Sequence, residues 1–186
     1  MISAVWIGRV LAQNAVPLKK AVMIIPHNSF RDEELSIPER ILEDEGIDVE
    51  IASSSLEEAK GMMGARVKPD MLLGDINMHD YDAIIFVGGQ GATEYWDNPL
   101  ALRLAREAAA FNKIVGAICI APVTLANAGI LNGRRATVSP SEAGKLQAAG
   151  AVYTGAQVEK DGNIITASGP EASNDFGTAL LRAIKY

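Results

Sequence analysis

The chain has 186 residues, of which 48% are hydrophobic and 22% charged, a composition that suits one domain with its own hydrophobic core. Its formal net charge of -6 argues against nucleic acids and anionic membranes as main partners, because both favour a basic surface. This net charge still leaves room for a local basic patch. The single cysteine, Cys119, excludes an intramolecular disulfide and favours a reducing, cytoplasmic location.

Residues 1–18 are predicted to be a loosely ordered N-terminal extension, or one docked on the surface, ahead of a single domain at residues 19–186. The apolar segment at residues 2–12 is interrupted by Arg9 and is shorter than the roughly 20 residues that span a bilayer. It also lacks the basic start of a secretory signal. We therefore expect neither a signal peptide nor a membrane anchor here.

Apolar runs alternate with helical patterns along the rest of the chain. Strands are predicted at residues 21–26, 47–52, 83–87, 114–118 and 136–138, short strand-like pieces at 66–67 and 71–73, and helices at 31–46, 99–112, 121–128, 141–149 and 170–184. Residues 158–160 and 164–167 predict a hairpin around Asp161-Gly162-Asn163, and residues 27–30 a loop. Pro38 should kink or divide the first helix, Gly46 should end it, and Ser141 is a candidate helix cap.

This alternation predicts an α/β fold, a flavodoxin-like, doubly wound and mostly parallel sheet with helices on both faces. In such sheets, functional sites lie beyond the carboxyl ends of the strands. Three segments are expected at that edge: residues 27–30, 88–91 and 119–121. The candidate chemistry is therefore sought there.

Cys119 directly follows a predicted strand and precedes a helix that opens with Ala121-Pro122. This is the arrangement of a nucleophile elbow, in which a tight strand-to-helix turn projects the reactive side chain into the site. The helix N-terminus is expected to favour the thiolate and to lower the pKa of the thiol. The alternative is that Cys119 is an inert, buried side chain, as most lone cysteines are.

A nucleophile also needs donors for a developing oxyanion. Gly88-Gly89 ends a neighbouring strand, and its backbone N–H groups can approach a ligand closely because no Cβ intervenes. The N–H groups of Gly89 and Ile120 are therefore the candidate oxyanion hole. A tight turn without a catalytic role explains the glycine pair equally well.

The segment around Cys119 resembles the cysteine elbow of the PfpI superfamily, which takes in the PfpI intracellular proteases and the protein DJ-one and is related to class I glutamine amidotransferase domains. The resemblance extends from Lys20 to Ile184. It rests on four motifs in the right order, namely Phe30-Arg31-Asp32-Glu33-Glu34-Leu35 with Pro38, Asp82-Ala83-Ile84-Ile85-Phe86-Val87-Gly88-Gly89, Ala117-Ile118-Cys119-Ile120-Ala121-Pro122, and Asp161-Gly162-Asn163-Ile164-Ile165-Thr166-Ala167-Ser168-Gly169-Pro170.

The resemblance implies a role for Glu34, which occupies the place of the family's conserved acid, four residues before the helix proline. There the carboxyl group is protonated and hydrogen-bonds the cysteine sulfur, stabilising the thiolate and its sulfinic acid. A carboxyl beside a thiolate resists ionising, so a raised pKa is physically reasonable. Without the resemblance, Glu34 would be interpreted as an exposed acid in the first turn of a helix.

The chain departs from the family in its histidines. Ile120 stands where many of the proteases have His directly after the cysteine, and Ser139-Pro140 stands where DJ-one-like members have His before Pro. The Cys-His pair of thiol proteases is therefore unsupported, and peptidase activity is doubtful. Of the two remaining histidines, His79 is expected to be exposed and His27 to be a loop residue or a substitute base.

Further pocket candidates are Gly88, His27, Ser139, Gly169 and Pro170, and no cofactor or metal site is predicted. The resemblance implies a homodimer or higher homo-oligomer acting on a small-molecule substrate. Three functions remain open: a cysteine-dependent hydrolase or a glyoxalase- or deglycase-like enzyme for small carbonyl compounds, a redox sensor oxidised at Cys119 to sulfinic acid, and a partner-binding protein without chemistry.

Overall fold

The computed structural model describes residues 18–186. The predicted N-terminal extension lies outside the described residues, apart from Leu18, and the division of the chain into an extension and one domain stays a prediction. None of the helices in the described part is long and apolar enough to cross a bilayer.

Twelve strands and five α-helices follow one another along residues 18–186. The strands are β1 (Lys20–Ile24), β2 (Asn28–Phe30), β3 (Asp48–Ser53), β4 (Ala59–Gly61), β5 (Arg66–Val67), β6 (Met71–Leu72), β7 (Ala83–Phe86), β8 (Ile114–Ile118), β9 (Arg135–Ala136), β10 (Val152–Tyr153), β11 (Val158–Asp161) and β12 (Ile164–Ala167). The helices are α1 (Asp32–Glu43), α2 (Pro99–Ala110), α3 (Pro122–Asn127), α4 (Ala143–Ala148) and α5 (Ser173–Lys185).

Seven strands form the central sheet, in the order β11-β12-β8-β7-β1-β3-β6. All neighbours in it are parallel except β11 and β12, which form the antiparallel hairpin that the sequence predicted. The predicted doubly wound, mostly parallel fold is therefore confirmed. Because Cys119 follows the last residue of β8, it lies at the carboxyl edge of the sheet near its centre.

Hydrophobic cores cover both faces of the sheet, since successive strand residues point to opposite sides. Val22 and Ile24 of β1 belong to the core shared with α2, α3 and α4, whereas Ala21 and Met23 belong to the core shared with α1 and α5. On the second face, α1 and α5 approach so closely that a Cβ on Gly177 would lie 2.8 Å from Cδ1 of Ile41. This contact fixes α1, whose first turn contains Glu34.

Two predicted details are wrong, and one of two alternatives for Pro38 is excluded. Residues 28–30 are not a loop but strand β2, which pairs with β4 in a small separate sheet, a pairing too short to leave a periodic pattern. Pro38 does not divide α1, which runs unbroken from Asp32 to Glu43. Ser141 does not cap a helix, because residues 140–142 form a 3₁₀ turn and its hydroxyl bonds Glu142 instead.

Candidate active site

Cys119 lies on a strained turn between β8 and α3. Its φ angle is +61°, in the left-handed region that non-glycine residues seldom adopt and that costs about 1–3 kcal/mol. Its backbone is held from both sides, because the Cys119 N–H donates to the carbonyl of Ala167 at 2.9 Å and its carbonyl accepts from the Ser139 N–H at 2.8 Å. The predicted elbow geometry is therefore present.

The start of α1 is joined to the glycine turn after β7. The N–H of Arg31, the residue before α1, donates to the carbonyl of Gly88 at 3.1 Å. Gly89 has a φ angle of +97°, and a Cβ there would lie 2.4 Å from the Arg31 nitrogen and from the Ser29 carbonyl oxygen. Only glycine allows this packing, which directs Glu34, three residues further on, toward the carboxyl edge of the sheet.

Glu34 and Cys119 meet over Gly88. A Cβ on Gly88 would lie 2.3 Å from Oε2 of Glu34 and 2.6 Å from Cβ of Cys119, so a larger residue would separate the carboxyl from the thiol. Glu34 is completely buried, which excludes the interpretation as a solvent-exposed helix acid. Three distant segments of the chain thus bring one acid and one thiol into contact.

The environment of Glu34 favours its protonated form. Burial raises the pKa of its carboxyl to about 7, although the Cys119 thiol, the Arg31 charge and the Gly88 N–H each act to lower it. Neither carboxyl oxygen makes a hydrogen bond of normal geometry to the described residues. Since buried polar groups nearly always have partners, this carboxyl has hydrogen-bonding capacity left for the thiol or for a ligand.

The environment of Cys119 is different from the predicted one. Burial first, and the negative charge of an ionised Glu34 second, raise the pKa of its thiol to about 12. Hydrogen bonds from the backbone N–H groups of Gly89 and Ile120 have the opposite effect and lower the pKa of the thiol. We expected the helix N-terminus to lower the pKa of the thiol. That expectation is wrong while Glu34 is ionised, because desolvation of the thiol and the like charge of Glu34 outweigh the effect of the helix.

The other predicted site residues fall into two groups. Gly88, Gly89, Ile120 and Ser139 all contact Glu34 or the Cys119 residue. His27, Gly169 and Pro170 are hydrogen-bonded to neither Cys119 nor Glu34 within residues 18–186. His79 is exposed, as expected, and stacks on the Phe111 ring at a centroid distance of 4.4 Å.

The backbone of His27 is held beside the small sheet. The backbone N–H of His27 donates to the carboxylate of Glu94 at 3.2 Å, and its backbone carbonyl accepts from the backbone N–H of Lys60. Its Nδ1 atom is buried and has no partner within residues 18–186. These contacts give no support to a role for His27 as a substitute base.

Two contacts of the site had no clear signal in the sequence. Arg31 lies close enough for its charge to act on Glu34, and its guanidinium pairs with Glu33 at 2.9 Å. The indole Nε1–H of Trp96 donates to the carbonyl of Ile120 at 3.1 Å and so anchors the residue that follows Cys119. Tyr95, by contrast, is a core residue whose hydroxyl donates to the Ile25 carbonyl at 2.8 Å.

The site is made of a thiol, a carboxyl group and backbone donors. Among residues 18–186, no group of three or more His, Cys, Asp or Glu side chains is placed to hold a metal ion.

Comparison with known proteins identifies the family of the chain. The profile of the DJ-1/PfpI family matches residues 19–183. The chain belongs to the DJ-1/PfpI family. A ThiJ/PfpI domain protein from Brachyspira murdochii has the same fold, with a TM-score of 0.88 and 28% identity over 90% of this chain and 97% of that one.

Several relatives of known sequence span most of this DJ-1/PfpI chain. A protein of Methanocaldococcus jannaschii is 42% identical over 89% of this chain and 82% of its own length. A deglycase of Pyrococcus horikoshii is 33% identical over 80% of this chain and 90% of its own. A glutathione-independent glyoxalase of Caenorhabditis elegans is 28% identical over 90% of this chain and 89% of its own. These relatives support an enzyme of the deglycase or hydrolase kind.

Proposed function

We propose that this protein is a cysteine-dependent enzyme that converts small reactive carbonyl compounds, of the 2-oxoaldehyde type, without a cofactor. The observation that supports it best is the buried Glu34 carboxyl, which faces the thiol of Cys119 across Gly88 with hydrogen-bonding capacity unused. A carboxyl group with a pKa of about 7 can both accept and return a proton near neutral pH. The names of the deglycase and glyoxalase relatives agree with this class of substrate.

The first step joins the enzyme to the substrate. The sulfur of Cys119 adds to the aldehyde carbon, a carbon–sulfur bond forms, and the π electrons of the carbonyl move to its oxygen. Ionised Glu34 takes the thiol proton during the attack, which offsets the high pKa of the resting thiol. The oxygen receives this proton in turn, giving a neutral hemithioacetal.

The following steps rearrange and release the product. Glu34 moves a proton from the hemithioacetal carbon to the neighbouring keto carbon, and the hydroxyl proton of the hemithioacetal passes to the keto oxygen, so the adduct becomes the thioester of a 2-hydroxy acid. Water then cleaves the carbon–sulfur bond, restores the thiol and releases the 2-hydroxy acid. The sum consumes one water molecule and transfers no electrons to or from another reactant.

The backbone donors stabilise the charge that develops on the substrate. The backbone N–H groups of Gly89 and Ile120 both lie close enough to the Cys119 sulfur to act on it as hydrogen-bond donors. In the adduct, the substrate oxygen is attached to the carbon that is bound to this sulfur, so the same N–H groups can donate to it. Because these donors are already held in place, stabilising the charge on that oxygen costs no reorganisation. Trp96 anchors Ile120 on its other side, through a hydrogen bond to the Ile120 carbonyl.

Steady-state kinetics with methylglyoxal as the probe test the proposal. Cys119→Ser and Glu34→Gln should each lower kcat/KM at least about 100-fold, the scale of general acid–base catalysis. Glu43→Gln, an exposed acid at the end of the same helix, is the matched control and should keep wild-type activity. In the wild-type enzyme, kcat/KM should rise with pH through about 7 as Glu34 ionises. A Glu34→Gln variant with wild-type turnover would overturn the proposed role of Glu34.

A redox role is the second candidate, and the placement of the Gly89 and Ile120 N–H groups at the sulfur favours it. Two molecules of hydrogen peroxide would oxidise the thiol to sulfinic acid and would be reduced to water, and the new S–O groups would accept these N–H donors. Mass spectrometry after mild peroxide treatment tests this role. A stable gain of two oxygens at Cys119 supports it, whereas an unmodified thiol or direct passage to sulfonic acid rules it out.

A further inference from the structure

A cavity lies at the end of the sheet opposite to Cys119. Its volume is about 770 Å³, and its lining includes Ile114, the first residue of β8, Asp82, which precedes β7, and Asn163, which precedes β12. Cys119 follows the other end of β8, five residues away, which at about 3.3 Å per strand residue is roughly 17 Å. This cavity is therefore separate from the candidate active site.

The lining of this cavity is strongly basic. Five cationic side chains and one carboxylate surround it, which gives a formal charge of +4 in a chain whose net charge is -6. The cations are Lys19, Lys113, Arg134, Lys160 and Arg182, and the carboxylate is Asp82. A like-charged cluster costs free energy in the free protein, so its concentration in one concave place calls for an explanation.

Pairing within the protein accounts for two of the five cations. Lys19 pairs with Asp82 at 2.9 Å, and the second oxygen of Asp82 accepts from the Lys20 N–H at 3.0 Å. Arg134 pairs with Asp161 at 3.2 Å. Within residues 18–186, the other three cations of the lining, Lys113, Lys160 and Arg182, form no ion pair.

Helix ends explain only part of the remaining charge. Helix α2 ends at Ala110, shortly before Lys113, and α5 contains Arg182 in its last turn, so these cations lie near carbonyl groups that favour positive charge. Each helix C-terminus is equivalent to about half a negative charge. Two helix ends therefore offset about one of the three unpaired cations.

The backbone beneath the cations is fixed. The side-chain amide of Asn163 donates to the Lys113 carbonyl at 2.7 Å. The carbonyl of Asn163 accepts from the Val115 N–H at 2.9 Å, and the carbonyl of Asp82 accepts from the Ile114 N–H at 3.0 Å. The cationic side chains consequently project from a preformed frame, as in ligand sites that need little rearrangement.

We propose that this cavity binds a small, multiply charged oxyanion, of which a diphosphate is the type. Three unpaired cations match the charge of such an anion, and the guanidinium of Arg182 presents the planar set of donors that suits phosphate or carboxylate oxygens. The cavity has the size of a small-molecule site. A nucleic acid is a poorer match, because the acidic remainder of the chain opposes a long polyanion.

Calorimetric titration of the full chain with inorganic pyrophosphate at low ionic strength tests the proposal. One saturable site is expected, and the double variant Lys113→Gln/Arg182→Gln should weaken binding at least tenfold. Lys160→Gln, at an exposed position of the lining, should weaken pyrophosphate binding several-fold. This single variant keeps the test valid if the double variant fails to fold. A parallel titration with citrate distinguishes phosphate oxygens from carboxylate oxygens as the preferred ligand chemistry.

Lys68→Gln is the matched control, since Lys68 is exposed and lies outside the lining. Its affinity for pyrophosphate should equal that of the wild type. The proposal is overturned if neither anion binds in a saturable way, if the lining variants bind as well as the wild type, or if Lys68→Gln loses as much affinity as they do.

Discussion

The two ends of the central sheet are built from the same strands but are packed and charged in opposite ways. At the carboxyl end, the backbone approaches Glu34 and Cys119 so closely at Gly88 that no side chain fits, and the buried acid forms no ion pair within residues 18–186. At the amino end, cations surround an open cavity on half-buried or exposed side chains. Close packing fixes the distance between two reacting groups, whereas an open, charged cavity suits reversible binding of an ion.

The largest effect that separates the two ends is expected from Gly88→Ala. The new Cβ would lie within 2.7 Å of three atoms, in Glu34, Cys119 and the Ile118 carbonyl, and overpacking of this kind costs about 3 kcal/mol or more. Chemical denaturation should show this loss, and activity should fall with it.

Gly144→Ala is the matched control for that experiment. Gly144 is inside α4, and a Cβ there would meet nothing within 4 Å, so alanine should stabilise the protein by about 0.5–1 kcal/mol. If Gly88→Ala proved as stable as Gly144→Ala, the carboxyl end would not be close-packed as described.

A second effect concerns the dependence of stability on pH. Burial raises the pKa of Glu34 from 4.5 to about 7, so between these values the folded state binds more protons than the unfolded state. The contribution of Glu34 to the free energy of unfolding is therefore lost as pH rises from about 4.5 to 7, by about 3 kcal/mol in total at 1.36 kcal/mol per pKa unit. Above pH 7 it should stay constant.

Denaturation curves of wild type and Glu34→Gln across this pH range measure that contribution by difference. The glutamine cannot ionise, so the variant should gain stability relative to wild type as pH rises, and at pH 8 it should be the more stable protein. Glu43→Gln, an exposed acid on the same helix, should follow wild type. Parallel curves for wild type and Glu34→Gln would show that the pKa of Glu34 is not raised.

A smaller effect is expected where Trp96 supports the cysteine turn. Trp96→Phe removes the N–H that donates to the Ile120 carbonyl and should cost about 1 kcal/mol of unfolding free energy, together with a measurable fall in kcat/KM. Tyr153→Phe serves as the control, because the Tyr153 hydroxyl donates no hydrogen bond within residues 18–186 and its loss should change stability by less than about 0.5 kcal/mol. Equal effects of the two substitutions would argue against a positioning role for Trp96.

The smallest effect is expected at the basic end. Lys113→Gln relieves repulsion among the unpaired cations of the cavity and should stabilise the fold by a few tenths of a kcal/mol at low ionic strength. The gain should disappear in high salt, where the charges are screened. Thermal denaturation at both ionic strengths, with Lys68→Gln alongside, checks this, and destabilisation at low salt would contradict it.

Much of the fold could be predicted because its signals are local. The bounds of β8 were predicted to the residue, since Ala121-Pro122 marks the start of a helix soon after the strand, and the hairpin of β11 and β12 follows from its Asp-Gly-Asn turn. Strand β2 could not be predicted, because it exists through pairing with β4, some thirty residues away. Pro38 does not divide α1, because tertiary packing of α1 on α5 outweighs the local preference to break a helix.

The site was predictable in its residues but not in its energetics. Cys119 and Ile120 were predicted from the strand-to-helix turn and Gly89 from the glycine pair after β7, whereas the place of Glu34 needed the family resemblance, since an acid in a first helical turn is usually exposed. The direction of the thiol pKa could not be inferred from the sequence, because it depends on how deeply the side chain is buried and on a charge from another segment. The basic cavity joins residues from six separate segments of the chain, whose meeting no sequence pattern reveals.

The central claim is that Glu34 and Cys119 act as one coupled pair, and the pH dependence of alkylation by iodoacetamide tests it most directly. Cys119 is the only cysteine, so the reaction reports on this thiol alone. In the wild type the thiol should titrate well above its usual value of about 8.5, and Glu34→Gln should lower its apparent pKa by at least about one unit, because a neighbouring negative charge is removed. Identical titration curves for wild type and Glu34→Gln would contradict the account.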